Sequence, residues 1–131
     1  MNSDETYTNQ GESFFFDSYA FFEILKANKN YSKYENAEIV TTKLNLFELY
    51  LGILREKGES EAKEVLELYY PFAVDFDENT IEEAAKLKNQ LNKRNISMTD
   101  CIGYVLANKL GIRFLTGDKE FENLENVEFV K

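Results

Sequence analysis

Four acidic residues, Asp17, Glu48, Asp100 and Asp118, stand where one fold can gather them, and gathered carboxylates have a definite chemistry. Asp17 directly follows the apolar run Phe14, Phe15, Phe16, and Asp118 follows Ile112 to Leu115 with only Thr116 and Gly117 between. In a parallel sheet the carboxyl ends of the strands share one edge, and ligands collect where the strand order reverses. Neighbouring strands would therefore bring Asp17 and Asp118 together. Asp100 opens a helical stretch carrying Ile102, Val105, Leu106, Ala107 and Leu110, apolar around most of its girth, which predicts a buried helix whose first acid needs a partner. Glu48 shares a narrow polar strip with Asn45, Gly52 and Arg55 at about 100° per residue, and that strip faces either water or a polar cavity. Four carboxylates at one sheet edge would repel and shift one another's ionisation unless cations neutralised them. Hard oxygen donors without His or Cys favour Mg2+ or Mn2+ over Zn2+. Such a centre suits phosphodiester cleavage, because bound metal can generate hydroxide, orient the phosphate and stabilise charge on the leaving oxygen.

Each acid taken singly also has a plainer reading. Asp17 is a favoured helix N-cap residue, and Gly117 with Asp118 is ordinary turn material. Ser97 and Asp100 have the spacing of a capping box, with Asp in place of the usual Glu or Gln. Glu48 can simply face solvent. The chemical reading rests on the four acting together.

Composition narrows the choices. The chain has no His, which removes the commonest general base, the usual zinc ligand and all Ser/His mechanisms. Cys101, the single cysteine, cannot form an internal disulfide, and its place within the apolar run Cys101 to Ala107 predicts buried packing. The 24 acidic against 15 basic residues give a formal charge of −9, unfavourable for general attraction to phosphate backbones, so any nucleic-acid binding must be local and cation-assisted. No apolar run is long enough to cross a bilayer, and the first residues are polar and acidic where a signal peptide would be basic and then apolar. A cytoplasmic protein with no membrane association is expected.

The elements that must position the acids alternate between strand and helix. Residues 1–12 read as a polar leader with the composition of a disordered segment, and residues 13–131 as one domain. Strands are predicted at Ser13 to Phe16, Glu38 to Val40, Phe72 to Phe76, Ile112 to Leu115 and Val127 to Val130. Helices are predicted from Ser18 to about Asn28, from Lys43 to Lys57 stopped by Gly58, and from Glu59 to Tyr69. Another begins near Asn79, an N-cap three residues before Glu82, and the last runs from Thr99 to Leu110, closed by Gly111. In the second helix Leu44, Phe47, Leu51 and Leu54 form one apolar row, widened by Leu46, Leu49, Tyr50 and Ile53. The alternation implies a mainly parallel sheet with helices on both faces.

The segments FFFDSYAFFEIL, IVTTKLNLFELYLGIL, SMTDCIGYVLANKLG and IRFLTGDKEFENLENVEFV, in that order, resemble the PIN domain, and within it the VapC-type toxins of toxin–antitoxin pairs. The resemblance covers nearly everything after the leader, and the strand followed by Thr-Gly-Asp, Phe and a short final strand is its most specific part. It implies a five-stranded, mainly parallel sheet in the order 3-2-1-4-5. It also implies a Mg2+- or Mn2+-dependent endoribonuclease in which Asp17, Asp100 and Asp118 are the main metal ligands, directly or through water. Glu48 would hold metal-bound water or a second ion, and Thr116 matches the family's hydroxyl residue near the last acid, although it can equally be strand-end turn chemistry. The implied partners are an RNA substrate, a small antitoxin that inserts a basic side chain among the acids, and a second copy in a homodimer. The alternative of another class is a catalytically inactive PIN-like binding or scaffold module whose acids only cap helices. A phosphatase or phospho-acceptor domain is weaker still, since Asp17 has no adjacent Asp.

Overall fold

The computed structural model describes residues 11–131, so residues 1–10 of the polar leader lie outside the described residues. The chain runs β1 (Ser13–Phe16), α1 (Ser18–Leu25), β2 (Glu38–Val40), α2 (Lys43–Lys57) and α3 (Glu59–Tyr69). It continues through α4 (Glu78–Gln90), α5 (Met98–Leu110), β3 (Arg113–Thr116) and β4 (Val127–Phe129), with 3-10 turns between several of these. The strands form one parallel sheet in the order β2-β1-β3-β4.

The α/β fold with a parallel sheet agrees with expectation, but the described sheet has four strands, not five. The segment expected as a strand at Phe72 to Phe76 instead leaves a 3-10 turn, Tyr70–Phe72, and touches the sheet only through the parallel bridge between Thr41 and Ala73. Two backbone hydrogen bonds hold it there, Thr41 N–H to Phe72 O at 3.1 Å and Val74 N–H to Thr41 O at 2.8 Å. Pro71 has no N–H to donate, and Phe72 and Val74 stay exposed, so neither backbone pairing nor burial extends the strand. The segment still flanks β2 on its outer side, and the order of the other four matches the expected reversal between β1 and its neighbour.

Alternation along β1 divides the core. Phe14 and Phe16 point to one face, where they pack with Phe21 of α1, Leu46, Leu49 and Ile53 of α2, and Ala62, Val65 and Tyr69 of α3. Phe15 points to the other, with Phe114, Phe121, Ala84 of α4, and Cys101, Ile102, Tyr104 and Leu106 of α5. Cys101 is accordingly a buried packing residue. Each fully buried aromatic contributes about 2–3 kcal/mol by leaving water, and Phe114 stacks with Phe15 while meeting Phe121 at 4.8 Å between ring centres.

The burial pattern corrects the reading of α2. Its inner row is Leu46, Leu49 and Ile53, with Asn45 buried beside it, whereas Phe47 is 67% exposed and Leu54 lies at the surface. Helix α4 is capped two residues earlier than expected: Asp77, not Asn79, accepts from Thr80 N–H at 3.0 Å. The glycine stops hold, since Gly58 (φ 98°) and Gly111 (φ 70°) occupy conformations that favour glycine. None of the helices in the described residues is long and apolar enough to cross a membrane.

Candidate active site

Parallel pairing of β1 with β3, in register Phe16 to Leu115, carries both chains off the same sheet edge side by side. Asp17 follows β1 and caps α1, its Oδ1 accepting from Ala20 N–H at 2.9 Å. Thr116 ends β3, and its hydroxyl donates to Asp17 Oδ2 at 2.5 Å while accepting from Asp118 N–H at 3.1 Å. One threonine thus joins the first acid to the turn bearing the last, across 99 residues of sequence. Gly117 makes that turn possible. A Cβ there would lie 2.3 Å from both the Tyr19 ring and the Val130 carbonyl oxygen, so a side chain would push the turn away from the edge.

Asp118, half-buried, caps the short 3-10 helix Lys119–Phe121 by accepting from Glu120 N–H at 3.0 Å. Asp100 closes the capping box anticipated with Ser97: its Oδ2 accepts from Ser97 N–H, and Ser97 Oγ accepts from Asp100 N–H, both at 3.1 Å. Glu48 accepts from the Ser18 hydroxyl at 2.6 Å, so the polar strip of α2 faces the start of α1.

The electrostatics tie the acids together. Asp17 is 2% exposed, and burial raises its carboxyl to about 8 against the lowering effect of the Thr116 and Ala20 hydrogen bonds; the charges of Asp100 and Asp118 raise it further. Asp100 is also raised, chiefly by burial, against the lowering bonds from Ser97, and then by the charges of Asp118 and Glu48. All four acids thus enter one chain of mutual repulsion, although among the described residues no three acidic or thiol side chains form a ready-made metal cage. Three of the acids are turned onto backbone N–H groups as caps. The donors nevertheless suit a hard divalent cation, since all are oxygens and each cap occupies only part of a carboxylate's roughly four lone-pair sites.

Sequence reasoning did not single out Ser18 or Thr42. Ser18 lies next to Asp17, and Thr42 caps α2 through Asn45 N–H at 3.3 Å. The i, i+3 step from Asn45 to Glu48 is the signal that pointed toward this cluster. The apolar groove between α2 and α3, lined by Leu46, Phe47, Tyr50, Leu66 and Tyr70, includes none of the four acids.

The model of the PIN domain matches residues 14–127. The chain belongs to the PIN domain family. Solved structures extend the likeness in three dimensions. This PIN domain is similar to VapC20 of Mycobacterium tuberculosis, described as a sarcin-ricin loop cleaving toxin, with TM-score 0.74, 17% identity and coverage of 90% of this chain and 99% of that one. It is similar also to VapBC2 of Rickettsia felis, solved with a DNA fragment from its promoter: TM-score 0.69, 17% identity, 91% of this chain and 99% of the other. For VapBC-1 of nontypeable Haemophilus influenzae the TM-score is 0.69 at 19% identity, covering 89% of this chain and 96% of that one. No curated protein sequence matches the chain. At these identities the structures establish a shared VapC-like PIN fold.

Proposed function

We propose that this PIN domain is a divalent-metal-dependent endoribonuclease and the toxin of a toxin–antitoxin pair. The observation that carries the reading is Thr116, which links buried Asp17 to the Asp118 turn where β1 and β3 leave the sheet. Asp17, Asp100 and Asp118 would hold Mg2+ or Mn2+, with Glu48 at the side of the site. The cation, when bound, activates water toward an RNA phosphodiester and offsets charge at the phosphate. The chain's own residues do the positioning. Thr116 fixes Asp17, the Ser97 box fixes Asp100, the Lys119–Phe121 turn fixes Asp118, and Ser18 holds Glu48. A cation among these acids would also supply the local attraction for RNA that a net charge of −9 opposes.

By analogy with the toxin–antitoxin complexes that share the fold, a small antitoxin is the expected partner, and it would supply a basic side chain to the acids when activity is blocked. A homodimer in the cytoplasm completes the proposal. Incubating the protein with a panel of structured RNAs and Mg2+ or Mn2+ should yield discrete cleavage, lost with EDTA and in Asp17→Asn and Asp118→Asn. Undiminished cleavage by the substituted proteins would reject the mechanism. Co-expression with the adjacent small open reading frame should give a stable complex, and failure to form one would remove the toxin–antitoxin assignment while leaving the nuclease.

The capping bonds favour a second reading, an inactive PIN module in which Asp17, Asp100 and Asp118 serve only as helix caps. Metal titration separates the two. An inactive module gives no saturable response that depends on Asp17 or Asp118.

A further inference from the structure

Helix α2 contains a buried asparagine that capping does not require. Asn45 is 1% exposed, the third residue of the helix, on the side that buries Leu46, Leu49 and Ile53, where an apolar residue would be the ordinary choice. Its side chain accepts at one end and donates at the other. The Thr42 hydroxyl donates to Asn45 Oδ1 at 2.7 Å, Asn45 Nδ2 donates to Ser18 Oγ at 3.4 Å, and the Ser18 hydroxyl donates to Glu48 Oε1 at 2.6 Å. Thr42 in turn is oriented by accepting from Asn45 N–H at 3.3 Å. The Ser18 hydroxyl also lies 3.5 Å from the Asn45 carbonyl oxygen, but its short bond is the one to Glu48, so the series runs toward that carboxylate, and such chains polarise in the same sense, strengthening the last bond.

We infer that Thr42, Asn45 and Ser18 form a positioning relay that holds the Glu48 carboxylate beside the other acids, so that Asn45 tunes divalent-cation binding without touching the cation. The inference rests on the proposed metal site and deepens it. The relay explains why α2 buries an amide at a cost: a buried polar side chain is tolerated only when its partners are satisfied. It also links two elements, because Ser18 follows Asp17 on α1 while Asn45 and Glu48 lie on α2. A shift of one helix against the other therefore moves Glu48 relative to Asp17.

The test uses the full-length protein and Mn2+ itself, with bound Mn2+ counted by electron paramagnetic resonance and RNA cleavage measured alongside. Asn45→Ala and Ser18→Ala should each weaken Mn2+ binding about tenfold, in the range found when outer-shell partners of metal ligands are removed. Ser18→Thr, which keeps the hydroxyl, should restore binding. In a Glu48→Ala background the Asn45 and Ser18 substitutions should have little further effect, because their route to the cation is gone. Denaturation midpoints keep the result readable if Asn45→Ala folds poorly, since Ser18 is only half-buried and its removal spares the core. Full, additive losses in the Glu48→Ala background, or unchanged Mn2+ affinity in Ser18→Ala, would overturn the relay while leaving the metal site standing. Absence of saturable Mn2+ binding by the unsubstituted protein would instead overturn the metal site and the relay with it.

Discussion

Asp17 combines three roles that pull against each other: helix cap, buried core neighbour and candidate ligand. Its carboxyl is raised to about 8 by burial, so the folded chain keeps a proton that the unfolded chain releases near the ordinary value of 3.8. Between those two values the folded state binds more protons, and stability falls as pH rises, by at most about 1.4 kcal/mol per unit. Below the lower value the contribution is constant, and above about 8 the loss is complete. Asp17→Asn should therefore flatten this slope and stabilise the cation-free protein at pH 8.5, checked by urea denaturation at pH 5 and 8.5 with EDTA. A mutant less stable than wild type at the higher pH would contradict it. Thr116 gives a second prediction at this scale. Thr116→Val keeps the shape but leaves Asp17 and Asp118 N–H without their shared partner, so it should cost about 2–3 kcal/mol and abolish cleavage, while Thr116→Ser retains both. Equal denaturation midpoints for Val and Ser at this position would remove Thr116 from the site.

Among the elements, α5 is the one whose seating decides where Asp100 stands. Gly103 faces Phe15 and Phe114, and a Cβ there would lie 2.7 Å from the Phe15 ring and 3.2 Å from that of Phe114. Both rings are fully buried and cannot yield cheaply. Gly103→Ala should lower stability by about 1–3 kcal/mol through overpacking, even after the helix-propensity gain of alanine, and should weaken cleavage as Asp100 shifts. Denaturation and RNA cleavage assays check both, and an alanine variant at least as stable as wild type would contradict the packing. These elements differ in how far their residues announced them. Strands β1 and β3 and the glycine stops were legible because Phe14 to Phe16 and the runs ending at Gly58 and Gly111 combine pattern with punctuation. The Phe72 to Phe76 segment was not, since an apolar run after proline reads as a strand whether or not a neighbour pairs with it. The face of α2 was ambiguous for a related reason: apolar residues surround most of the helix, so periodicity could not tell Phe47, left in water, from Leu46, buried in the core.

At the scale of the whole molecule, the fold turns acids remote in sequence into one electrostatic unit within an already acidic protein. Two strands each followed by an acid made Asp17 and Asp118 a pair worth placing together, but the reversal of strand order at β1 and β3 was legible only through the PIN resemblance. The relay through Asn45 was not, because a polar strip on a helix looks the same whether it faces water or a carboxylate. Saturating Mn2+ should raise the thermal midpoint of the native protein, as any ligand selective for the folded state does, and should leave that of Asp17→Asn combined with Asp118→Asn unchanged. Equal shifts in the two would place the stabilising ions elsewhere. A crystal structure of the protein soaked in Mn2+ decides whether these acids are ligands or only caps. Anomalous density for manganese is expected among Asp17, Asp100 and Asp118, bound directly or through water, with Glu48 alongside. Manganese found only on scattered surface acids, with these carboxylates still engaged solely as helix caps, would contradict it.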